Sequence, residues 1–351
     1  MAGRKGSVGM TIKEIAKRAG VSSAAVSRYL NGGYVSDEKK AQIKKVIDET
    51  GYIPSAQARM LRTKKASLVG VVVPKINSES ISRITAGIEQ VLSGKNYQML
   101  LASTDNKAEK EVEYMRLFEN YPVDGIILVA TMMTPAHHKF MKESKVPIVA
   151  IGQRTEDANC IYHDDYCGGE KMGKYVAAHS NGKIAYIGVT REDKAAGAAR
   201  EDGFRAGLEA GGKHLEEEYV RISEFTMESG YRAAMSLFEK KADIDTISCA
   251  TDTIAAGVIE AIIAYKKGKK SIHEEENFAR MQKVLNETEI KVTGFGDNQF
   301  LKAVTGGIPT IHFGYKTSGI KGAEMLLDAI EKKEQIPTEV KLEVEFVEGI
   351  E

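Results

Sequence analysis

From Ser67 onward, short apolar runs alternate with amphipathic segments of helical period, and this alternation restricts the fold more than any other feature of the chain. The runs at 68–74 (LVGVVVP), 97–102 (YQMLLA), 125–130 (GIILVA) and 147–152 (PIVAIG) lack the in–out pattern of a half-solvated strand. They read as strands of a parallel sheet covered on both faces, with crossover helices such as Arg83–Gly94 and Ala108–Asn120 between them. A second set follows at 184–189 (IAYIGV), near 219–222, at 246–251 (TISCAT) and at 292–296 (VTGFG). Residues 66–351 are therefore expected to form an α/β body of two doubly wound parallel-sheet lobes. Such sheets bind ligands beyond the carboxyl ends of their strands. The residues falling there are Lys75-Ile-Asn77, Gln153-Arg154, Thr190-Arg191, Thr251-Asp252 and Gly296-Asp297-Asn298. Polar residues follow strands in any α/β protein, so each group alone says little. Facing one cleft, they would make a site.

Residues 1–53 obey a different period. Thr11 and Glu14 have the spacing of a capping box, ahead of an apolar face at Ile12, Ile15, Ala16 and Ala19. Gly20 suits a left-handed helix end, Ser22 can cap the next helix, and that helix turns Val26, Tyr29 and Leu30 inward. Ser23, Ala24, Ser27 and Arg28 occupy its other side. A third helix should run from about Asp37, after Ser36, to Gly51. This is the pattern of a helix-turn-helix whose second helix can enter a major groove. Arg28 can fork onto guanine, Ser22, Ser27 and Asn31 suit phosphates, and Ala24 could touch only a thymine methyl. A trihelical bundle used for protein contacts would show the same apolar pattern, but charge favours DNA. Residues 1–65 hold 14 Lys and Arg against 5 Asp and Glu, although the whole chain is neutral. A basic head on an acidic body suits a polyanion at one end only.

The segments TIKEIAKRAGVSSAAVSRYLNG and GYIPSAQARMLRTKKASLVGVVVP resemble the opening of the Lac repressor family, and the likeness continues through the body. The resemblance implies a periplasmic-binding-protein-like body and a cytoplasmic homodimer on double-stranded operator DNA. It makes Ser23, Ala24 and Arg28 base-reading positions, with Thr11 among the DNA contacts. It also makes residues 54–65 a hinge helix and linker, in which Leu61 matches the leucine wedged into the minor groove. Bottom-up, a segment this short after Pro54 is below the roughly 12–15 residues an isolated helix needs. It should fold only against a second hinge and DNA. Ala58 would allow close approach of the two hinges, and Arg59 would lie near phosphate. A plain interdomain linker is the alternative.

The same resemblance proposes effector contacts at Lys75, Asn77, Arg154, Arg191, Arg200, Asp252 and Asp297. Arg200 stands in ARxxGF, where the family's arginine grips sugar hydroxyls, which a planar fork suits. A salt-bridged surface arginine is the alternative for Arg200. Most sugar-binding members carry an acid where this chain has Gly296, so the cleft loses a negative charge. PKINSES, YIGVTREDKAAGAAR, CATDTIAAG and GFGDNQFLK resemble the trehalose repressor branch, which implies trehalose 6-phosphate as effector. Lys75 departs from that branch's arginine, and an unphosphorylated disaccharide such as sucrose is the second expectation.

No GxSxG, GxxxxGK[ST] or HExxH motif is present, so an enzyme has no constellation to rest on and no cofactor is expected. His137 and His138 read as solvated on an exposed helix. Cys160, Cys167 and Cys249 form no CxxC pair and read as buried free thiols. No export signal opens the chain and no run has membrane-spanning length, which argues against a transporter's solute-binding protein of similar body. Residues 266–289 exceed the usual helix–strand link and are expected to add a charged surface helix around 277–285.

Overall fold

The head begins with the capping box that Thr11 and Glu14 predict. The Glu14 amide donates to the Thr11 hydroxyl at 3.3 Å, and the Thr11 amide donates to the Glu14 carboxylate at 2.7 Å. Helix α1 (Ile12–Ala19) ends at Gly20 in the left-handed conformation, φ 64°. Helix α2 (Ser23–Leu30) follows with the Ala25 amide donating to the Ser22 hydroxyl at 3.2 Å. Helix α3 (Asp37–Thr50) ends at a second left-handed glycine, Gly51. Ile15, Ala16, Ala19, Val26, Ile43, Val46 and Tyr52 form the head's own small core.

This computed structural model describes residues 10–30, 32–52, 65–239, 243–266, 290–332 and 336–349. Asn31, the hinge positions Ala58, Arg59 and Leu61, and residues 267–289 of the predicted insertion lie outside them. The chain divides into two units, Met1–Ser67 and Leu68–Glu351. Among the described residues no helix is long and apolar enough to cross a membrane.

The body starts with β1 (Leu68–Val73), α4 (Glu79–Gly94), β2 (Gln98–Ser103), α5 (Ala108–Asn120), β3 (Gly125–Val129), α6 (Pro135–Glu143), β4 (Ile148–Ile151) and β5 (Asn159–His163). Helix α4 begins four residues before its apolar pattern suggests, after an extended Ser78. Helix α7 (Asp165–His179) then leads to β6 (Lys183–Gly188), a π-helix at Lys194–Ala199, α8 (Arg200–Ala210) and β7 (Val220–Ile222). Next come α9 (Met227–Phe238), β8 (Ile244–Cys249), α10 (Asp252–Lys266), β9 (Lys291–Phe295), α11 (Gln299–Thr305), β10 (Thr310–Phe313) and α12 (Tyr315–Lys332). The short strands β11 (Glu339–Leu342) and β12 (Val344–Val347) close the sequence.

The strands form two six-stranded sheets, ordered β11-β5-β4-β3-β1-β2 and β12-β10-β9-β8-β6-β7. All pairings are parallel except β10 with β12. The chain crosses between the lobes three times. It crosses from β5 into α7, which packs on α8 and β12, and from β10 into α12, which returns to α4, β3, β4 and β5. The third crossing is the single residue Glu343 between β11 and β12. The first and second crossings are the two that bring helices to the cleft.

Helices α7 and α8 touch backbone to backbone. A Cβ placed on Gly169 would lie 2.2 Å from the Arg200 carbonyl, and one on Gly203 would lie 2.0 Å from the Tyr166 carbonyl. Gly173 and Gly207 meet the opposite backbone just as closely, each at 2.2 Å. The seam brings together the first residues of both helices, Asp165 and Arg200. Gly203→Ala is expected to force the helices apart and destabilise the body by about 1–3 kcal/mol, as overpacking does. Gly94→Ala, which has open space around it and no left-handed φ, is expected to be neutral or slightly stabilising. Urea unfolding midpoints of the two variants check the contrast.

Candidate functional site

Five residues around the cleft between the lobes share one origin. Glu79, Asp165, Arg200, Asp252 and Tyr315 are each the first residue of a helix at the carboxyl end of the sheets. They line a cavity of about 180 Å³, small beside the roughly 300–1,000 Å³ of drug-sized sites. The cavity suits a compact occupant.

Arg200 is the most buried of the cations lining the cavity. Nε donates to Asp165 Oδ1 at 2.7 Å and Nη1 to the Ala250 carbonyl at 2.6 Å. The guanidinium lies over Phe313 at 4.6 Å and Phe295 at 5.3 Å. Burial opposes its charge most, but Asp165, Tyr315 and Asp193 together outweigh burial and raise the pKa. Asp252 accepts from Thr310 Oγ1 at 2.8 Å and from the Asn298 amide at 2.7 Å. Burial still lifts its pKa to about 6. Gly296 beside it has φ 140°, and a Cβ there would lie 3.5 Å from Asp252 Oδ2. An acid at this position would be strained and would crowd a second carboxylate against the first.

Several hydrogen bonds join the lobes across the cavity, among them Arg83 Nη1 to the Asp297 carbonyl at 3.5 Å. Lys75 Nζ donates to the Phe225 carbonyl at 2.8 Å, Gln153 Nε2 to Asp193 Oδ1 at 2.8 Å, and the Gln299 amide to Glu79 Oε2 at 3.2 Å. Burial lowers the Lys75 pKa and raises that of Asp193. The cations lining the cavity are Lys75, Arg83 and Arg200, and each already has a partner. Arg83 pairs with Glu79 at 3.7 Å.

Of the seven effector candidates, the structure brings Lys75, Arg200 and Asp252 together in the cavity. Asn77 is exposed and outside the lining. Arg154 points the other way, with Nε on Glu339 at 2.7 Å and a side chain 59% exposed. Arg191 is held by Asp202 at 2.8 Å and Glu201 at 3.2 Å. Asp297 binds His312 Nδ1 at 2.8 Å behind the lining. Of the two cations just beyond the first lobe's strands, Lys75 and Arg154, only Lys75 lines the cavity. Sequence reading missed Glu79, Asp165, Asp193, His163 and Tyr315. Asp193 left a signal, as an acid two residues beyond the strand-end pair Thr190-Arg191. Burial raises the Tyr315 pKa to about 12. His163 is buried, with Nε2 unpartnered, and burial lowers its pKa to about 4.

Other expectations change as well. His137 is not solvated: it is fully buried, and only His138, bonded to Asp157 at 2.5 Å, is partly exposed. The thiols of Cys160 and Cys249 are buried, and Cys167 is half-buried.

In the head, Thr11, Ser22, Ser23, Ala24 and Arg28 are exposed and Ser27 half-buried, so α2 presents a polar edge opposite Val26. The Thr11 and Ser22 hydroxyls also serve as helix caps.

Residues 11–55 match the family model for bacterial regulatory proteins of the lacI family. Residues 66–349 match the model for periplasmic binding proteins and the sugar-binding domain of the LacI family. The sucrose operon repressor of Staphylococcus xylosus is 30% identical over 320 residues, 91% of this chain and 93% of that protein. A solved Lac repressor dimer, bound to operator and an anti-inducer, superposes with a TM-score of 0.78 over 97% of this chain and 98% of that one, at 18% identity. The Escherichia coli trehalose repressor superposes with a TM-score of 0.63 over 80% of this chain and 99% of its own, at 16% identity. At those identities the two structures speak to the fold alone.

Asp252 and His163 give the body opposing pH responses. Asp252, lifted from 3.8 to about 6, makes ionisation costly, so its penalty grows as pH rises from 4 to 6 and is constant above. His163, depressed from 6.5 to about 4, favours the fold above pH 6.5 and loses that contribution as pH falls towards 4. Each is worth up to about 3 kcal/mol at 1.36 kcal/mol per pKa unit. Relative to the parent chain, Asp252→Asn should lose stability more steeply on acidification, and His163→Gln less steeply. Urea unfolding from pH 4 to 7 reads both slopes, and a variant with an unchanged slope removes its group from the account.

Proposed function

The chain belongs to the LacI family of bacterial regulatory proteins, and from that premise we propose a transcriptional repressor whose operator affinity is set by a compact, uncharged sugar of the sucrose class. The family is one of regulators rather than enzymes, and its place of action is the cytoplasm, where the DNA is. The α2 edge carrying Ser23, Ala24 and Arg28 reads the major groove, with Thr11, Ser22 and Ser27 positioning the head on phosphates. A homodimer presents two heads to a pseudo-palindromic operator.

The observation that carries the effector reading is the pairing of every cation in the cavity lining. A phosphate dianion would have to compete with Asp165 for Arg200, with Glu79 for Arg83 and with the Phe225 carbonyl for Lys75. It would do so beside Asp193 and Asp252. Sugar hydroxyls, which donate and accept, fit such a lining without disturbing its charge balance. The sucrose operon repressor supports the same chemistry, and trehalose 6-phosphate becomes the second choice. Sugar binding acts on DNA only through different affinities for two body states. We take the sugar to favour the state with weaker operator binding.

Fluorescence anisotropy with an operator duplex tests both halves. Sucrose is expected to lower operator affinity at least tenfold and trehalose 6-phosphate to have little effect; the reverse order would restore the phosphorylated effector. Arg28→Ala should cost about 1–3 kcal/mol in operator binding and relax base preference at one position. Parent affinity should fall steeply with salt as counterions are released. Salt-independent binding would overturn the DNA assignment.

A further inference from the structure

Behind the cavity wall of the first lobe lies a buried acid–histidine pair that the effector contacts above leave unused. Glu111 on α5 and His137 on α6 are both fully buried. His137 Nδ1 lies 3.3 Å from the Thr134 amide and 2.8 Å from the Thr134 hydroxyl, and its Nε2 is hydrogen-bonded to Glu111 Oε2 at 3.1 Å. The second carboxylate oxygen of Glu111 accepts from the Thr131 hydroxyl at 3.0 Å. A carboxylate without solvent needs such partners, and these two hold it in one orientation.

Thr131 carries that orientation to the cavity, whose lining it joins. Its carbonyl accepts from Gln153 Nε2 at 2.7 Å, and the same nitrogen donates to Asp193 Oδ1 in the other lobe. Asp193 Oδ1 also accepts from the amides of Ala195 and Ala196, capping the π-helix that runs directly into Arg200. One hydrogen-bonded path thus leads from a buried carboxylate in one lobe to the segment presenting the central arginine of the other. Every link is 3.1 Å or shorter.

We propose that Glu111 is a positioning residue for the closed body: through Thr131 it holds Gln153 in the rotamer that latches the first lobe to Asp193. Its role is to set how readily the lobes part, whichever sugar enters. The assignment is therefore independent of the effector's identity.

The full-length protein tests it without ligand. Nitroxide labels on Lys107→Cys and Glu209→Cys, exposed positions in separate lobes, report the inter-lobe distance by electron–electron resonance in a Cys167→Ser background. Gln153→Leu is expected to raise the open-to-closed ratio at least tenfold. Thr131→Val, which keeps the carbonyl but removes the hydroxyl that binds Glu111, is expected to open the body similarly. The double variant should be no more open than Gln153→Leu alone, because both changes break one path. Glu111→Gln should behave as Thr131→Val does, and if it fails to fold, Thr131→Val still decides. A wild-type distance distribution in Thr131→Val beside an open Gln153→Leu would overturn the positioning role. A closed Gln153→Leu would overturn the latch itself.

Discussion

The effector body is organised around one buried ion pair, Arg200 with Asp165. Both residues open helices, and those helices can bring them together only because four glycines let their backbones touch. The pair is nearly shut off from water and is flanked by two phenylalanine rings. Removing one member would strand the other, which is far more damaging than the net worth of the pair suggests. Asp165 begins the helix that carries the chain into the second lobe, and Arg200 follows that lobe's π-helix. The arginine that faces the cavity is therefore set by the crossover between lobes as much as by its own.

Charge in the cavity follows from the same economy of partners. Its carboxylates exceed its cations, yet each is held by amides, hydroxyls or an arginine already present. Gly296 belongs to this arrangement, since its backbone conformation leaves no relaxed place for an acidic side chain beside Asp252.

Much of this was legible in the sequence, for reasons that differ by element. The head's helices were readable because capping box, left-handed glycines and apolar period all agree within each few residues. The central strands were readable because burial on both faces makes them continuously apolar. Strands β5, β10, β11 and β12 escaped because they are short, polar or at sheet edges, and β11 and β12 are one alternating stretch divided between two sheets. The cavity residues were legible only to within a residue or two. Successive side chains at a strand end point to opposite sides, so Gln153 turns inward and Arg154 outward. Arg191 likewise stays outside while Asp193, carried by the π-helix, comes in. The burial of His137 had no local signal, because its partner Glu111 lies on a different helix.

The path of the chain between lobes has a consequence for how the protein is made. The first lobe's strands β1 to β5 are complete by His163, yet α12, which shares the cover of one face of that sheet with α4, begins only at Tyr315, and the sheet's edge strand β11 comes later still. Ala323 and Leu326 of α12 are part of that lobe's core. At a ribosomal rate of about 5–20 residues per second, the apolar face they cover waits on the order of 10–30 s for its lid. For that interval the nascent chain presents a sheet surface suited to chaperones or to misassociation. The cavity takes residues from Lys75 to Tyr315, so its lining is complete only once the start of α12 has been made.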